Sequence, residues 1–282
     1  MNLINRRINL QQHIIHDVGL ALQEDIGNGD ISALLIDESK SLTTRLLVRE
    51  DAILCGSAWF EQAFKQCDER IQLDWQAQDG DRVSADSVLC QISGPARAIL
   101  TAERTALNFL QTLSGTATTT RYYVDKISQT KCHILDTRKT IPHLRLAQKY
   151  AVTCGGGVNH RIGLFDAYLI KENHLAACGS IQQAVERGRA LHPDRLLEVE
   201  VETLEQLQQA IDAKVDRALI DNFNIEQMKQ AVRMTANQIQ LEASGNITDE
   251  SLLNIANTGV DFISIGALTK HLRAVDFSLR FL

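Results

Sequence analysis

The sequence predicts an α/β protein in two parts, an N-terminal α/β domain over residues 1–115 and an α/β barrel over 116–270, with the tail 271–282 returning to the first part. Three observations carry this. From about residue 130 onward, short β-rich runs alternate with amphipathic helical stretches, the signature of parallel strands joined by crossover helices. Nearly every run ends in a charged or small polar group, and a barrel would gather those ends on one rim. The first 115 or so residues lack the alternation and show extended segments and turns instead.

Taken in order, the N-terminal part holds the alternating segments TTRLLVRE and RIQLDWQA, then the turn-rich DGDRVSADSVLCQISGPARAIL and a helix, TAERTALNFLQTLSG. The DGDRVSADSVL stretch has the look of a carrier-domain hairpin. A lipoyl or biotinyl carrier needs a lysine at the hairpin tip, and there is no lysine between Lys65 and Lys126. The apolar runs of the second part are HILD (His133 to Asp136), AYLI (Ala167 to Ile170), LLEVEV (Leu196 to Val201), RALI (Arg217 to Ile220), QIQLEA (Gln238 to Ala243) and FISIG (Phe262 to Gly266). Between them SIQQAVERGRALH, TLEQLQQAIDAK, NIEQMKQAVRM and TDESLLNIAN repeat apolar residues at helical spacing. Six strands fall short of eight, so the barrel is expected to be incomplete. The tail AVDFSLRFL fits an edge strand or a short helix.

Composition narrows the function. Apolar residues at 44%, charged residues at 23% and only three prolines fit a globular chain, not a disordered or fibrous one. A formal charge of −6 argues against a nucleic-acid partner, so cations gathered in short motifs point to a small anion instead. No apolar run approaches the roughly 20 residues that span a bilayer, and the start lacks a secretory cleavage site, so no membrane partner and a cytoplasmic location are expected. Six scattered cysteines without a CxxC pair suggest neither zinc nor a disulfide framework.

The cations are the most informative set. Arg138 and Lys139 follow HILD, His160 and Arg161 sit in GGGVNHRIGL, and Lys171 follows AYLI. Each alone reads as a solvated charge; gathered at one rim they suit a planar dicarboxylate, for which arginine supplies forked donors. His160 reads equally well as a structural hydrogen-bonding residue. Glu200 and Asp221 end adjacent runs, a placement suited to Mg²⁺ held with a substrate diphosphate, or to a ribose hydroxyl. Glu198, Glu200 and Glu202 share parity and would face one side, which is costly in an interior unless cations meet them; an exposed edge-strand face is the plainer alternative. ASGNI and SIGAL each put glycine between strand and helix, a phosphate-holding turn in late barrel strands or simply a tight turn. No GxxxxGK[ST] or GxGxxG pattern follows the triple glycine Gly155–Gly157, which leaves close backbone approach or a loop as its reading.

Together EDIGNGD, ERTALNFLQTLSG, DTRKT, KYAVTCGGGVNHRIGLFDAYLIKENH, LEVEVE, LIDNF, EASGNI and VDFISIGALT span nearly the whole chain, and the set resembles the quinolinate phosphoribosyltransferase family. The resemblance implies an N-terminal α/β sandwich-like domain plus an open seven-stranded α/β barrel, assembled as a homodimer with shared active sites. It implies transfer of phosphoribose from phosphoribosyl pyrophosphate to quinolinate with loss of CO₂, using Mg²⁺ and no organic cofactor. Arg104 would reach the partner's site, while Thr137, Arg138, Lys139, His160, Arg161 and Lys171 would line the quinolinate pocket. Glu200 and Asp221 would sit near ribose and Mg²⁺, with Lys139 and Lys171 sharing the catalytic role. Ser244, Gly245, Asn246, Ile265, Gly266 and Ala267 would bind phosphate. Two positions depart from the family pattern: His143 in IPHLR stands where glycine is usual, which bears on loop geometry, and Ser32 stands where threonine is commoner. A related transferase for another base, a Schiff-base aldolase using Lys171, and a non-catalytic anion-binding barrel are the competing readings.

Overall fold

The computed structural model describes residues 9–245 and 247–281. Its first strands are β1 (Ser41–Val48), β2 (Ala52–Ile53), β3 (Gln72–Trp75), β4 (Arg82–Val83) and β5 (Val88–Pro95), followed by a long helix, Ala96–Lys126. Then come β6 (His133–Leu135), β7 (Ala167–Ile170), β8 (Leu196–Val201), β9 (Arg217–Asp221), β10 (Gln240–Ser244), β11 (Phe262–Ser264) and, near the end, β12 (Phe277–Phe281). The chain divides into two compact units that interleave: one takes the described residues up to Arg121, Thr140–Gly156 and those from Ala267 on, the other Tyr122–Lys139 and Gly157–Gly266.

The first unit is built on an antiparallel sheet of order β12-β1-β5-β3. The alternation in the C-terminal tail makes β12 a strand, paired with β1 through Leu46↔Leu279 and Val48↔Phe277. Trp59, Phe60 and Phe64 of the helix Ser57–Cys67 fill the core against Leu46 and Ile92, all fully buried. The long helix contributes Leu107, Leu110 and Leu113, and near them its small residues allow close approach; a Cβ on Gly115 would meet the Arg273 carbonyl oxygen at 2.2 Å. The triple glycine has a packing reason as well: a Cβ on Gly155 would stand 2.5 Å from both the Ala117 carbonyl and Thr120. Asp30 of EDIGNGD accepts from the Ser32 and Ala33 amides and from the Thr101 hydroxyl, so the turn uses the backbone amide at the position where threonine is commoner.

The second unit is a six-stranded parallel sheet of order β6-β11-β10-β9-β8-β7. Five strands lie in sequential order and the earliest closes up against the last, so every step runs the same way, unlike a doubly wound sheet, which reverses at a switch point. Right-handed crossovers then put the helices on one face and turn the other inward. Three of the helices begin on side-chain caps: Ser180 accepts from the Gln183 amide, Thr203 from Gln206, and Asn224 exchanges bonds with Gln227. β6 and β7 are the open edges, and the expected seventh strand is present among the described residues only as a single bridge, Val158 to Leu135. That segment cannot extend pairing because its next residues are used to hold Asp136 (below).

The inward face carries charge. Glu198, Arg217 and Glu242 are buried, whereas Glu202, of the same parity as Glu198, falls past the end of β8 and is exposed. The exposed-edge reading of LEVEVE therefore fails for Glu198. All six cysteines are free thiols, three of them buried and three partly so. Among the described residues no helix is long and apolar enough to cross a membrane.

Two stability consequences follow from these positions. His143 adopts φ 64°, the left-handed region that explains why glycine is usual there. His143→Val is expected to lose roughly 1–2 kcal/mol, while His143→Gly is expected to stay within about 1 kcal/mol because relief of strain offsets glycine's greater unfolded entropy; denaturant unfolding of the two variants checks this. Burial, then the neighbouring Glu198, raise the Glu242 carboxyl from its ordinary 4.5 to about 7. A group that binds its proton more tightly when folded stabilises the fold at low pH and loses that contribution as pH rises. Stability is expected to fall as pH climbs from about 4.5 through about 7, by up to roughly 3 kcal/mol from this group. Unfolding of Glu242→Gln at several pH values should show a flatter slope.

Candidate active site

The C-terminal ends of the parallel strands supply the rim of the second unit. After β6 the chain turns through Thr137, whose hydroxyl accepts from the Lys139 amide at 3.1 Å. The Lys139 side chain runs over the backbone beyond β11, where a Cβ on Gly266 would lie 3.0 Å from Lys139 Cδ. Glycine at 266 thus makes room for the lysine. Gly245, after β10, has φ +93°, and a Cβ there would stand 2.3 Å from Asn222 Oδ1 at the neighbouring turn. Asn222 in turn donates to the Asp221 carboxylate at 2.8 Å.

Lys171, at the end of β7, forms an ion pair with Glu200 near the end of β8. Its backbone amide donates to His174 Nδ1, which closes the first turn of the helix Glu172–Cys178 and fixes the lysine's starting point. Asp221 belongs to the same group: burial and then Glu200 push its carboxyl up, and Lys171 and Lys139 oppose that rise. Arg161 is half-buried, and burial followed by the nearby Arg138 guanidinium pulls its proton affinity down. Two arginines held close together suit an incoming anion.

Below the rim lies a buried polar network. Asp136 is fully buried and accepts from Asn159 Nδ2 at 2.7 Å and from the His160 amide at 2.9 Å, which anchors the segment that carries His160 and Arg161. The Asp166 carboxylate takes the Ile162 and Gly163 amides, both at 2.8 Å, and folds the far side of the same loop. His160 Nδ1 accepts from the Arg161 amide at 2.7 Å. Its proton therefore sits on Nε2, which faces Glu198 Oε2 at 2.9 Å and Glu242 Oε2 at 3.5 Å. In this arrangement the ring is neutral and acts as a hydrogen-bonding group, not a point charge. Arg217 lies 3.2 Å from Glu242 and stacks over the Phe262 ring at 4.1 Å.

His160, Glu198 and Glu242 bring three potential ligand atoms together. One cation, Arg217, already offsets one of the two carboxylates, and both carboxyls are pushed up by burial. A single shared proton completes neutrality, while a divalent ion would overcharge a dry interior. Glu200 and Asp221 are the better oxygen donors for Mg²⁺, being adjacent, partly accessible and on the rim.

The structure therefore gathers Thr137, Arg138, Lys139, Arg161, Lys171, Glu200, Asp221, Ser244, Gly245 and Gly266 at strand ends of one unit, with His160 directly beneath. Ile265 is buried and Ala267 opens the short helix Ala267–Lys270. Asn246 lies outside the described residues, and Arg104 is exposed on the helix Ala96–Lys126 of the first unit. Reading the sequence missed Arg217, Glu242 and Asn159; the first two sat inside runs taken as apolar strands.

Residues 30–114 match the N-terminal domain of quinolinate phosphoribosyl transferase, and residues 116–280 match its C-terminal domain. A Bacillus subtilis (strain 168) protein named probable nicotinate-nucleotide pyrophosphorylase [carboxylating] is 41% identical over 257 residues, covering 91% of this chain and 89% of its own. The Mycobacterium leprae nicotinate-nucleotide pyrophosphorylase [carboxylating] is 40% identical over 92% of this chain and 94% of its own. The solved nicotinate-nucleotide pyrophosphorylase of Francisella tularensis superposes with a TM-score of 0.94 at 49% identity, covering 96% of this chain and 97% of that one. With both halves matched and these relatives covered almost end to end, the chain belongs to the quinolinate phosphoribosyltransferase family.

Proposed function

We propose that the chain transfers phosphoribose from phosphoribosyl pyrophosphate to quinolinate and decarboxylates the product, giving nicotinate mononucleotide, pyrophosphate and CO₂ for NAD biosynthesis. The observation that carries this reading is the rim itself, where Arg138 and Arg161 lie close together beside the Lys139, Lys171, Glu200 and Asp221 group. The pyridine nitrogen bonds to C1 of the ribose as the bond from C1 to the diphosphate oxygen breaks. The alkylated ring then takes up the electron pair left when the C2 carboxylate departs as CO₂, and a proton from solvent replaces it. Neither step needs a protein nucleophile or an organic cofactor, because the leaving group and the electron sink belong to the substrates.

The protein's part is placement and charge. Arg138 and Arg161 hold the ring carboxylates, and Lys139 and Lys171 add positive charge at the reacting edge. Glu200 and Asp221 would hold Mg²⁺, whose charge offsets that of the leaving diphosphate. The amides at Gly245 and Gly266, at strand-to-helix turns beside Asn222 and Lys139, suit the ribose phosphate. Lys171 ion-pairs with Glu200, the opposite of the uncompensated, desolvated setting that makes a lysine a Schiff-base nucleophile, which disfavours the aldolase reading.

A homodimer with Arg104 entering the partner's site completes the proposal. The exposed apolar residues Ile31, Leu34 and Leu35 support it, because such a cluster calls for cover. A cytoplasmic location is in keeping with six unbridged cysteines.

Incubation with quinolinate, phosphoribosyl pyrophosphate and Mg²⁺ is expected to yield nicotinate mononucleotide and CO₂; product from nicotinate but not from quinolinate would assign the chain to another base. Arg138→Ala or Arg161→Ala is expected to lower kcat/KM for quinolinate by roughly 10- to 100-fold, as loss of a charged hydrogen bond implies, with little change in melting temperature. Steady-state kinetics in which both variants match the parent would remove these arginines from the pocket. Mixing Arg104→Ala with Arg161→Ala subunits is expected to restore about a quarter of the parental activity, since random pairing leaves one site in four intact. No recovery after proven subunit exchange would exclude a shared site.

A further inference from the structure

We propose that Glu198, held in place by Glu242 and Arg217, is a positioning residue that sets the orientation of His160 and, through it, of Arg161. The inference rests on the reading of Arg161 as a donor to the ring carboxylates. Three contacts define the device. The His160 amide is tied to Asp136 at 2.9 Å, His160 Nδ1 accepts from the Arg161 amide at 2.7 Å, and Nε2 faces Glu198 at 2.9 Å. The imidazole is thus a strut between the barrel interior and the backbone of Arg161.

A strut works only if the ring cannot rotate. Flipping the imidazole by half a turn would present a carbon to the Arg161 amide and another to Glu198, so the acceptor at one end and the donor at the other are set together. The Glu198 carboxylate, 2.9 Å from Nε2, favours the proton on that nitrogen by its charge, and that tautomer leaves the Nδ1 lone pair for the amide. Glu198 is itself fully buried among charged neighbours. Its register partner on β9 is Arg217, which bonds Glu242 at 3.2 Å and stacks at 4.1 Å on Phe262, the register partner of Glu242 on β11. The carboxylate also acts on Arg161 directly, since its charge favours the protonated guanidinium against the effects of burial and Arg138.

A residue that merely fills space would not produce a selective kinetic effect or a defined imidazole signature. Glu198→Leu removes the acceptor at similar size, and Glu198→Gln keeps an acceptor oxygen. For Glu198→Leu the KM for quinolinate is expected to rise about tenfold or more, with the KM for phosphoribosyl pyrophosphate within about twofold of the parent; Glu198→Gln is expected to recover most of the quinolinate affinity. Nitrogen-15 NMR of histidine-labelled parent protein, with the His160 signals assigned through His160→Asn, is expected to show a single neutral Nε2–H tautomer, and Glu198→Leu a mixture. A parental spectrum with the proton on Nδ1, or charged at neutral pH, overturns the inference without any variant having to fold. So does an unchanged quinolinate KM, or an equal rise in both KM values, in Glu198→Leu. Absence of quinolinate turnover in the parent alongside the expected tautomer would instead reject the proposed reaction and leave the strut in place.

Discussion

A carboxylate cannot be stripped of water unless a cation or a proton meets its charge, and the inward face of the parallel sheet buries two of them. Arg217 answers one, and burial raises the proton affinity of both Glu198 and Glu242, which favours a neutral form of the other. The surrounding residues follow from that need. Phe262 offers its ring face to the guanidinium, Ser264 hydrogen-bonds Glu242, and His160 enters as a neutral ring. Removing Arg217 would leave the buried carboxyls without their cation. The Glu198 charge in turn favours the protonated form of Arg161 at the rim above.

Much of this was legible from residue order. The six apolar runs are the six strands, with ends that differ by a residue or two, because the pattern of short β-rich runs and helices capped by Ser180, Thr203 and Asn224 is local. The rim was legible for a related reason: in a parallel sheet wound one way, every residue just past a strand end arrives at the same place. Arg217 and Glu242 were not, although both stand in plain view within β9 and β10. Their meaning depends on register, Glu198 opposite Arg217 and Glu242 opposite Phe262, and register belongs to pairs of strands, not to any one of them. A signal did exist: opposite charges at inward parity on consecutive strands of a sheet expected to be buried on both faces.

The interleaving of the two units was opaque for a different reason. Residues 140–156 sit between two strands of the second unit yet pack within the first, a choice made by nonlocal contacts such as the seat of Gly155 on Ala117 and Thr120. No periodicity within that helix reports which surface will receive it. His143 shows the opposite case, in which a departure from a family pattern pointed to a backbone conformation and the left-handed φ lies at that residue.

Charge arithmetic at the rim connects the fold to the choice of base. Of the residues at the strand ends, Arg138, Lys139, Arg161 and Lys171 are cations and Glu200 and Asp221 are carboxylates, a set richer in positive than in negative charge. A pyridine dicarboxylate brings two negative charges to such a site, whereas a monocarboxylate brings one. A diphosphate that arrives with its own divalent metal adds little net demand. The ion pair between Lys171 and Glu200 fits this economy, because a ring carboxylate can take over the ammonium while Glu200 turns to the incoming sugar or its metal. In the proposed reaction a cation-rich set of strand ends favours a base with two carboxylates over one with a single carboxylate.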